Sequence, residues 1–397
     1  MLNVVSPAQH GFDLERLQRI NRLMQRYVDA GKFAGMMTLV ARHGQVVHFA
    51  CHGHADLATQ TPMQPDTIFR IYSMTKPITG AALLICLEEG WFNVTDPVSR
   101  YLPAFGKVKV WEGEGKLVDP VRPITIQDLY RHTSGLTYGG LHGSHPVSQL
   151  YVAAKVGDPK QTTAVFADTI ATMPLRFQPG TTWHYSMGMD VLGRLIELFS
   201  GQSFGRFLQE RIFDPLGMVD TSFRLDPAKQ ARLATLYQVS AGNPPLKPIP
   251  AMINDYGPDV AFESGGGGLL STMGDYYRFA QCLLNGGTLG GQRILGRKSV
   301  EFMRSNALTP EQMPVAFEGS EPFAGFGYGV CVKIMQDPAA GGWMGSPGDF
   351  GWGGYAETYH FIDPVEDLIG ISMAQCIPSM HYPIRKEFRT AVYQALI

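Results

Sequence analysis

The chain has 397 residues, 45% of them hydrophobic and 17% charged, a balance that buries a large core and excludes an extended polar polymer. Its 33 basic residues against 35 acidic ones leave a net charge of −2, so nothing attracts a polyanion and nucleic acid is not an expected partner. A chain well above the ~150 residues of an average domain reads as one large unit or two interlocked ones.

In chain order, Met1 to Gly11 lacks the basic start and apolar stretch of a secretory signal. Asp13 to Ala30 predicts an amphipathic helix, with Leu14, Leu17, Ile20, Leu23 and Met24 recurring on one face. Met36 to Ala41 is an apolar run of strand length, answered across His43-Gly44 by Val46 to Ala50; together they predict an antiparallel hairpin. Ser73 to Glu89 predicts a buried helix, with Pro77 in its first turns, where a missing N–H costs least. The stretch from about 89 to 192 is rich in turns and short helices. Within it Thr125 and Asp128 make a capping box and Gly135 a stop. Helices are expected at Asp190–Phe199 and Phe204–Ile212, and again after the glycine run Gly265 to Gly268, from Thr272-Met273-Gly274-Asp275. Strands are expected at Tyr328–Ile334, Ala356–Ile362 and Leu368–Ala374, with a closing helix at Ile384–Leu396.

Strands at both ends with helices between predict an α/β (α+β) fold: an antiparallel sheet flanked by helices plus a helical insertion. The expected division is 1–88 with 193–397 for the sheet unit and 89–192 for the insertion. No run approaches the ~18 apolar residues of a membrane span, so no membrane is expected. The five cysteines (Cys51, Cys86, Cys282, Cys331, Cys376) are scattered and form no Cys-x-x-Cys. They read as free thiols of a reducing compartment, which leans toward the cytoplasm, although a mature exported form would read the same.

A serine hydroxyl needs a neighbouring base before it attacks carbonyls. Ser73-Met74-Thr75-Lys76 places an amine three residues on, on the same helical face and at a helix start whose N–H groups suit an oxyanion. By itself such a spacing is equally an N-cap serine beside an exposed lysine. Ser73-Met74-Thr75-Lys76-Pro77 after Phe69-Arg70-Ile71 resembles the serine β-lactamase and penicillin-binding protein superfamily, in particular its class C β-lactamase branch and the family VIII carboxylesterases. Further matches follow in order. They are Leu129-Tyr130-Arg131-His132-Thr133-Ser134-Gly135-Leu136, then Phe177-Gln178-Pro179-Gly180 with Tyr185-Ser186, then Ser264 to Leu269 with Ser271-Thr272, and Trp352-Gly353-Gly354-Tyr355. The resemblance implies a class C β-lactamase-like fold, a cleft between the two parts, and no metal or organic cofactor. It implies Ser73 as nucleophile, with Lys76 and Tyr185 activating it and the backbone N–H groups of Ser73 and Tyr355 as oxyanion hole. Which of Lys76 and Tyr185 is the acylation base is a property of a coupled pair.

Two departures from the pattern bear on substrate. Trp352-Gly353-Gly354 stands where the family usually has Lys-Thr-Gly on an edge strand, and Met187 stands where β-lactamases typically carry Asn. The site loses a cation and an amide and gains apolar surface. The expectation is a serine carboxylesterase for short- to medium-chain esters, with Trp352, Gly353, Gly354 and Met187 against the substrate and weak β-lactam hydrolysis as a side activity. A β-lactamase or D-alanyl peptidase, or an acyltransferase of the same fold, is the alternative; a non-catalytic binding member is disfavoured because Ser73, Lys76 and Tyr185 are all present. The substrate would be a small-molecule ester, and the oligomeric state is not readable. Cys51-His52-Gly53-His54 with Asp56 is read as a structural turn rather than a metal site, since zinc needs three or four converging ligands. His142 and His145 are assigned to a surface loop, and His184 to a structural role. No Gly-x-Ser-x-Gly occurs, which argues against an α/β-hydrolase.

Overall fold

The computed structural model describes residues 2–140, 143–239, 246–249, 256–313, 315–318 and 320–397. The two chain ends build one eight-stranded antiparallel sheet. Its spatial order is Phe326–Tyr328, Lys333–Met335, Phe350–Gly353, Tyr359–Asp363, Leu368–Ala374, Gly35–Arg42, Gln45–Asp56, Thr61–Pro62. The central pairing joins the termini, Met36 facing Ala374 and Arg42 facing Leu368. Both sheet faces are covered, which is why Gly35–Arg42 is apolar without a polar alternation. Met37, Leu39 and Ala41 enter a core with the helices Thr75–Glu88 and Met273–Leu284. Met36 and Val40 face the other way, onto Ile20 and Met24 of the helix Arg19–Asp29 and Phe388 and Val392 of Ile384–Tyr393.

Several elements differ from the sequence reading. The first helix is interrupted at Gln18 into Leu14–Leu17 and Arg19–Asp29, and Leu14, counted on its apolar face, is exposed. Gln45–Asp56 is one long strand, so Cys51-His52-Gly53-His54 lies within it and not in a turn. The expected strand Tyr328–Ile334 is a hairpin: Phe326–Tyr328 pairs with Lys333–Met335, and Cys331 turns at φ 61°. That turn packs under the Thr75–Glu88 helix, where a Cβ on Gly80 would stand 3.0 Å from Cys331 Cβ, so it is apolar and carries no polar turn signature. Phe350–Gly353 is a strand, Tyr355–Glu357 is a turn with Glu357 at φ 65°, and the next strand starts at Tyr359. The helix beginning at Phe204 passes into a π turn at Gln209–Phe213. The helix Gly188–Ser200 runs through residue 193.

Asp128 anchors the segment leading to the cleft. It closes the expected capping box with Thr125 and also accepts from Arg122 (2.6 and 2.9 Å), Thr133 Oγ1 (2.8 Å) and Arg131 (3.2 Å). Burial alone would raise its pKa, but these donors prevail and hold it at about 2. A folded pKa below the unfolded one stabilises the protein above the unfolded value, and that contribution is lost as the pH falls toward about 2. Asp128→Asn is therefore expected to cost about 2 kcal/mol at neutral pH. In urea melts the gap from wild type should shrink steadily between about pH 5 and pH 3; a gap independent of pH would contradict it.

Candidate active site

Ser73 sits where the strand Ile68–Arg70 gives way to a helix. Tyr72 before it holds a left-handed backbone, φ 42°, which for a non-glycine residue costs on the order of 1–3 kcal/mol. Its ring is kept in place edge-on to Tyr355 (6.0 Å) and packed with Leu236, Ala356 and Ile377. The 3-10 turn Tyr72–Met74 precedes α-helical bonding, which begins at Thr75 and not at Ser73 as expected. Lys76 still lies on the face of Ser73, and its Nζ donates to Ser73 Oγ at 3.2 Å. Lys76 is fully buried, with its remaining N–H groups on Gly266 O (2.6 Å) and Tyr138 OH (3.2 Å).

Tyr185 reaches the same serine from a segment distant in sequence, its hydroxyl donating to Ser73 Oγ at 2.6 Å. The extended stretch before the helix Gly188–Ser200 is fixed by backbone bonds from His184 N to His132 O (2.8 Å) and Met187 N to Thr137 O (3.3 Å). The Tyr185 ring lies among Tyr138, Phe317 and Trp352, with centroids 5.3, 5.1 and 5.8 Å away. The ammonium of Lys76 stands 4.5 Å from that ring's centre. Ser73, Lys76 and Tyr185 thus form one hydrogen-bonded cluster, able to pass a proton to and from the serine.

The strand Phe350–Gly353 closes the opposite wall. It is internal to the sheet order, not an edge as the family pattern implied. Its neighbour Lys333–Met335 pairs only with Phe350 and Gly351, however, and leaves the outer side of Trp352 and Gly353 without a strand partner. Gly354 must be glycine, because a Cβ there would collide with Ile71 O and Thr358 Oγ1. That close approach brings Tyr355 beside the Ser73 turn, and both line the same cleft.

The cleft encloses about 600 Å³ and is walled mainly by Tyr138, Tyr185, Met187, Phe262, Phe317 and Trp352, with Gly353 and Gly354 at its floor. Among the described residues its ionisable lining groups besides tyrosines are Arg385, Glu318 and Asp190. Arg385 donates to Glu357 (2.5 Å) and Gly354 O (2.7 Å), and Glu318 is paired with Arg176 (2.7 Å). All expected site residues therefore meet at one place. Tyr138, Asp190, Phe317 and Arg385 join them without having been singled out from the sequence. For Tyr138 a signal existed, since it lies two residues beyond Leu136 of the His132 segment. His184 instead bonds Thr137 Oγ1 (2.9 Å), and His145 caps the helix Pro146–Ala153, its Nδ1 accepting from Val147 N (3.2 Å). His142 lies outside the described residues. The five cysteines are free thiols, and burial raises them all, Cys51 to about 11 and Cys86 to about 12.

A sheet built from both termini, with a hydrogen-bonded serine–lysine–tyrosine cluster at the start of a central helix, is the framework of a serine hydrolase. The chain belongs to the Beta-lactamase family, whose model matches residues 20–393. Protein Rv1367c of Mycobacterium tuberculosis is 35% identical over 367 residues, covering 89% of this chain and 88% of the relative. Esterase EstB of Burkholderia gladioli is 29% identical, covering 94% of each chain. Among solved structures, EstCE1, a hydrolase with promiscuous acyltransferase activity, matches with a TM-score of 0.81 and 27% identity, over 96% of this chain and 99% of that one. No helix among the described residues is long and apolar enough to cross a membrane.

Proposed function

We propose that the chain is a carboxylesterase of the family VIII type, cleaving short- to medium-chain esters through an acyl-enzyme on Ser73. The observation that carries this is the convergence of Tyr185 OH (2.6 Å) and Lys76 Nζ (3.2 Å) on Ser73 Oγ, inside a largely apolar cleft. Ser73 Oγ bonds to the ester carbonyl carbon and its proton passes to the Lys76–Tyr185 pair. The carbonyl oxygen, now an oxyanion, is met by the N–H groups of Ser73 and Tyr355. The C–O bond to the alcohol breaks, and the alcohol leaves with a proton from Tyr185. Water then attacks the acyl group, gives its proton to the pair, and the serine recovers its own as the acid departs. The expected division into a sheet unit of about 1–88 and 193–397 and a helical insertion of about 89–192 would put the cleft between the two, with the helix Gly188–Ser200 crossing the second boundary.

Trp352 and Met187 supply apolar surface worth ~25 cal/mol per Å² buried. The guanidinium nearest the floor, Arg385, is already neutralised by Glu357, so no uncompensated cation there favours the carboxylate of a β-lactam or D-alanyl peptide. Neutral esters follow. The name of EstCE1 supports a second reading, transfer of the same acyl group to an alcohol in place of water.

The test is steady-state turnover of p-nitrophenyl acetate, butyrate and octanoate beside nitrocefin, with and without an added alcohol. We expect kcat/KM for the best ester to exceed that for nitrocefin by at least ~10²-fold, a difference of about 3 kcal/mol in transition-state binding. Nitrocefin as the better substrate would overturn the reading of Trp352 and Met187. Acyl transfer dominating over hydrolysis would replace the esterase assignment by an acyltransferase.

A further inference from the structure

Lys76 is buried, and among the described residues no carboxylate is bonded to it. Its three acceptors are a serine hydroxyl, a tyrosine hydroxyl and the Gly266 carbonyl. The carboxylate that acts on it stands one peptide unit further back. Asp190, in the first turn of the helix Gly188–Ser200, is 1% exposed. Its Oδ1 accepts from Ser264 Oγ (2.5 Å) and from Gly266 N (3.0 Å). Gly266 thereby donates to Asp190 through its nitrogen and accepts from Lys76 through its oxygen. Asp190 Oδ2 has no hydrogen-bond partner among the described residues, although it lines the cleft. Oδ2 and the Tyr138 hydroxyl both lie within 3.0 Å of the point where a Cβ on Gly266 would stand, so only glycine fits between them.

We propose that Asp190 is a positioning residue for the Ser73 reaction: it fixes the Ser264–Gly266 turn that aims a carbonyl at Lys76, and supplies the negative charge that offsets the buried ammonium without bonding to it. This rests on the assignment of Ser73 as nucleophile. A carboxylate in direct contact would compete with Ser73 and Tyr138 for the Lys76 N–H groups, whereas one behind a peptide leaves them on the two hydroxyls. Burial raises the Asp190 pKa above the ordinary carboxylate value, and the hydroxyl of Ser264, the charge of Lys76 and the amide of Gly266 act against that rise. Among the described residues the other titratable groups around this pair are Tyr138, Tyr185, Tyr328 and Cys331. Burial pushes Tyr138, Tyr328 and Cys331 well up, and at neutral pH they carry no competing charge.

The experiment follows kcat/KM for p-nitrophenyl butyrate, and the rate of fluorophosphonate labelling of Ser73, against pH in wild type, Asp190→Asn and Ser264→Ala. Asn keeps an acceptor for Ser264 and Gly266 but removes the charge. The acid limb of both profiles should move to lower pH by about one unit, with the plateau kcat/KM down about tenfold and KM little changed. Ser264→Ala, which touches neither Ser73 nor Lys76, should move the limb the same way by less, and serves if Asp190→Asn does not fold. Limbs unmoved in both variants would overturn the proposal, as would a loss confined to KM. If Ser73→Ala itself keeps turnover and labelling, the underlying assignment fails; if Ser73→Ala is inert and Asp190→Asn matches wild type, only this inference fails.

Discussion

Ser73→Ala should abolish ester turnover, lowering kcat by at least ~10³-fold, or more than about 4 kcal/mol of transition-state stabilisation. The substitution removes one oxygen from a turn whose backbone is held independently by the packing of Tyr72 on Tyr355 and by the Gly354 contact with Ile71. The fold and the cleft should therefore survive, and thermal melts of the variant should overlay wild type. Steady-state assays with p-nitrophenyl butyrate check the loss. The residual rate should no longer respond to fluorophosphonate, because the group that reacts with it has gone. Retained inhibition would place the nucleophile elsewhere.

The second large effect is expected from Tyr185→Phe. The ring keeps its contacts with Phe317, Trp352 and Tyr138, so substrate binding should change little. Only the hydroxyl 2.6 Å from Ser73 Oγ is lost, and with it the proton route to the departing alcohol. A group acting this way contributes typically ~10²–10⁴-fold, so kcat should fall by that range at nearly constant KM. The loss should be smaller for p-nitrophenyl esters than for ethyl esters, since p-nitrophenolate departs without help. Equal losses on both would argue that Tyr185 acts on the serine alone.

What the sequence made legible was local or patterned. Ser73 and Lys76 are three residues apart on one helix face, so their contact follows from helix geometry. The pairing of the two termini was readable from apolar runs at both ends, and Met36 facing Ala374 is its outcome. The Thr125–Asp128 capping box was legible for the same reason, because every group it needs is within one turn. The parts that escaped are those where the partner lies far along the chain. Asp190 meets Gly266 only through the fold, and nothing around Met189-Asp190 distinguishes a buried carboxylate from a helix-capping one. Arg385 opens the last helix, yet its guanidinium reaches the Gly354 carbonyl at the cleft floor. The hairpin at Cys331 was missed because burial under a helix strips a turn of the polar residues that normally mark it. The strand start was misplaced at Ala356 for another reason: the left-handed turn residue there is Glu357, at φ 65°, with no glycine or proline to mark it.

The central claim is a covalent acyl-enzyme on Ser73, and mass spectrometry tests it most directly. The enzyme is mixed with p-nitrophenyl butyrate, quenched in acid within its first turnovers, and digested for peptide mapping. The account predicts a butyryl group on the peptide carrying Ser73, absent from Ser73→Ala and removed when the mixture ages before quenching. A butyryl group on another side chain that forms and decays at the rate of turnover would contradict it.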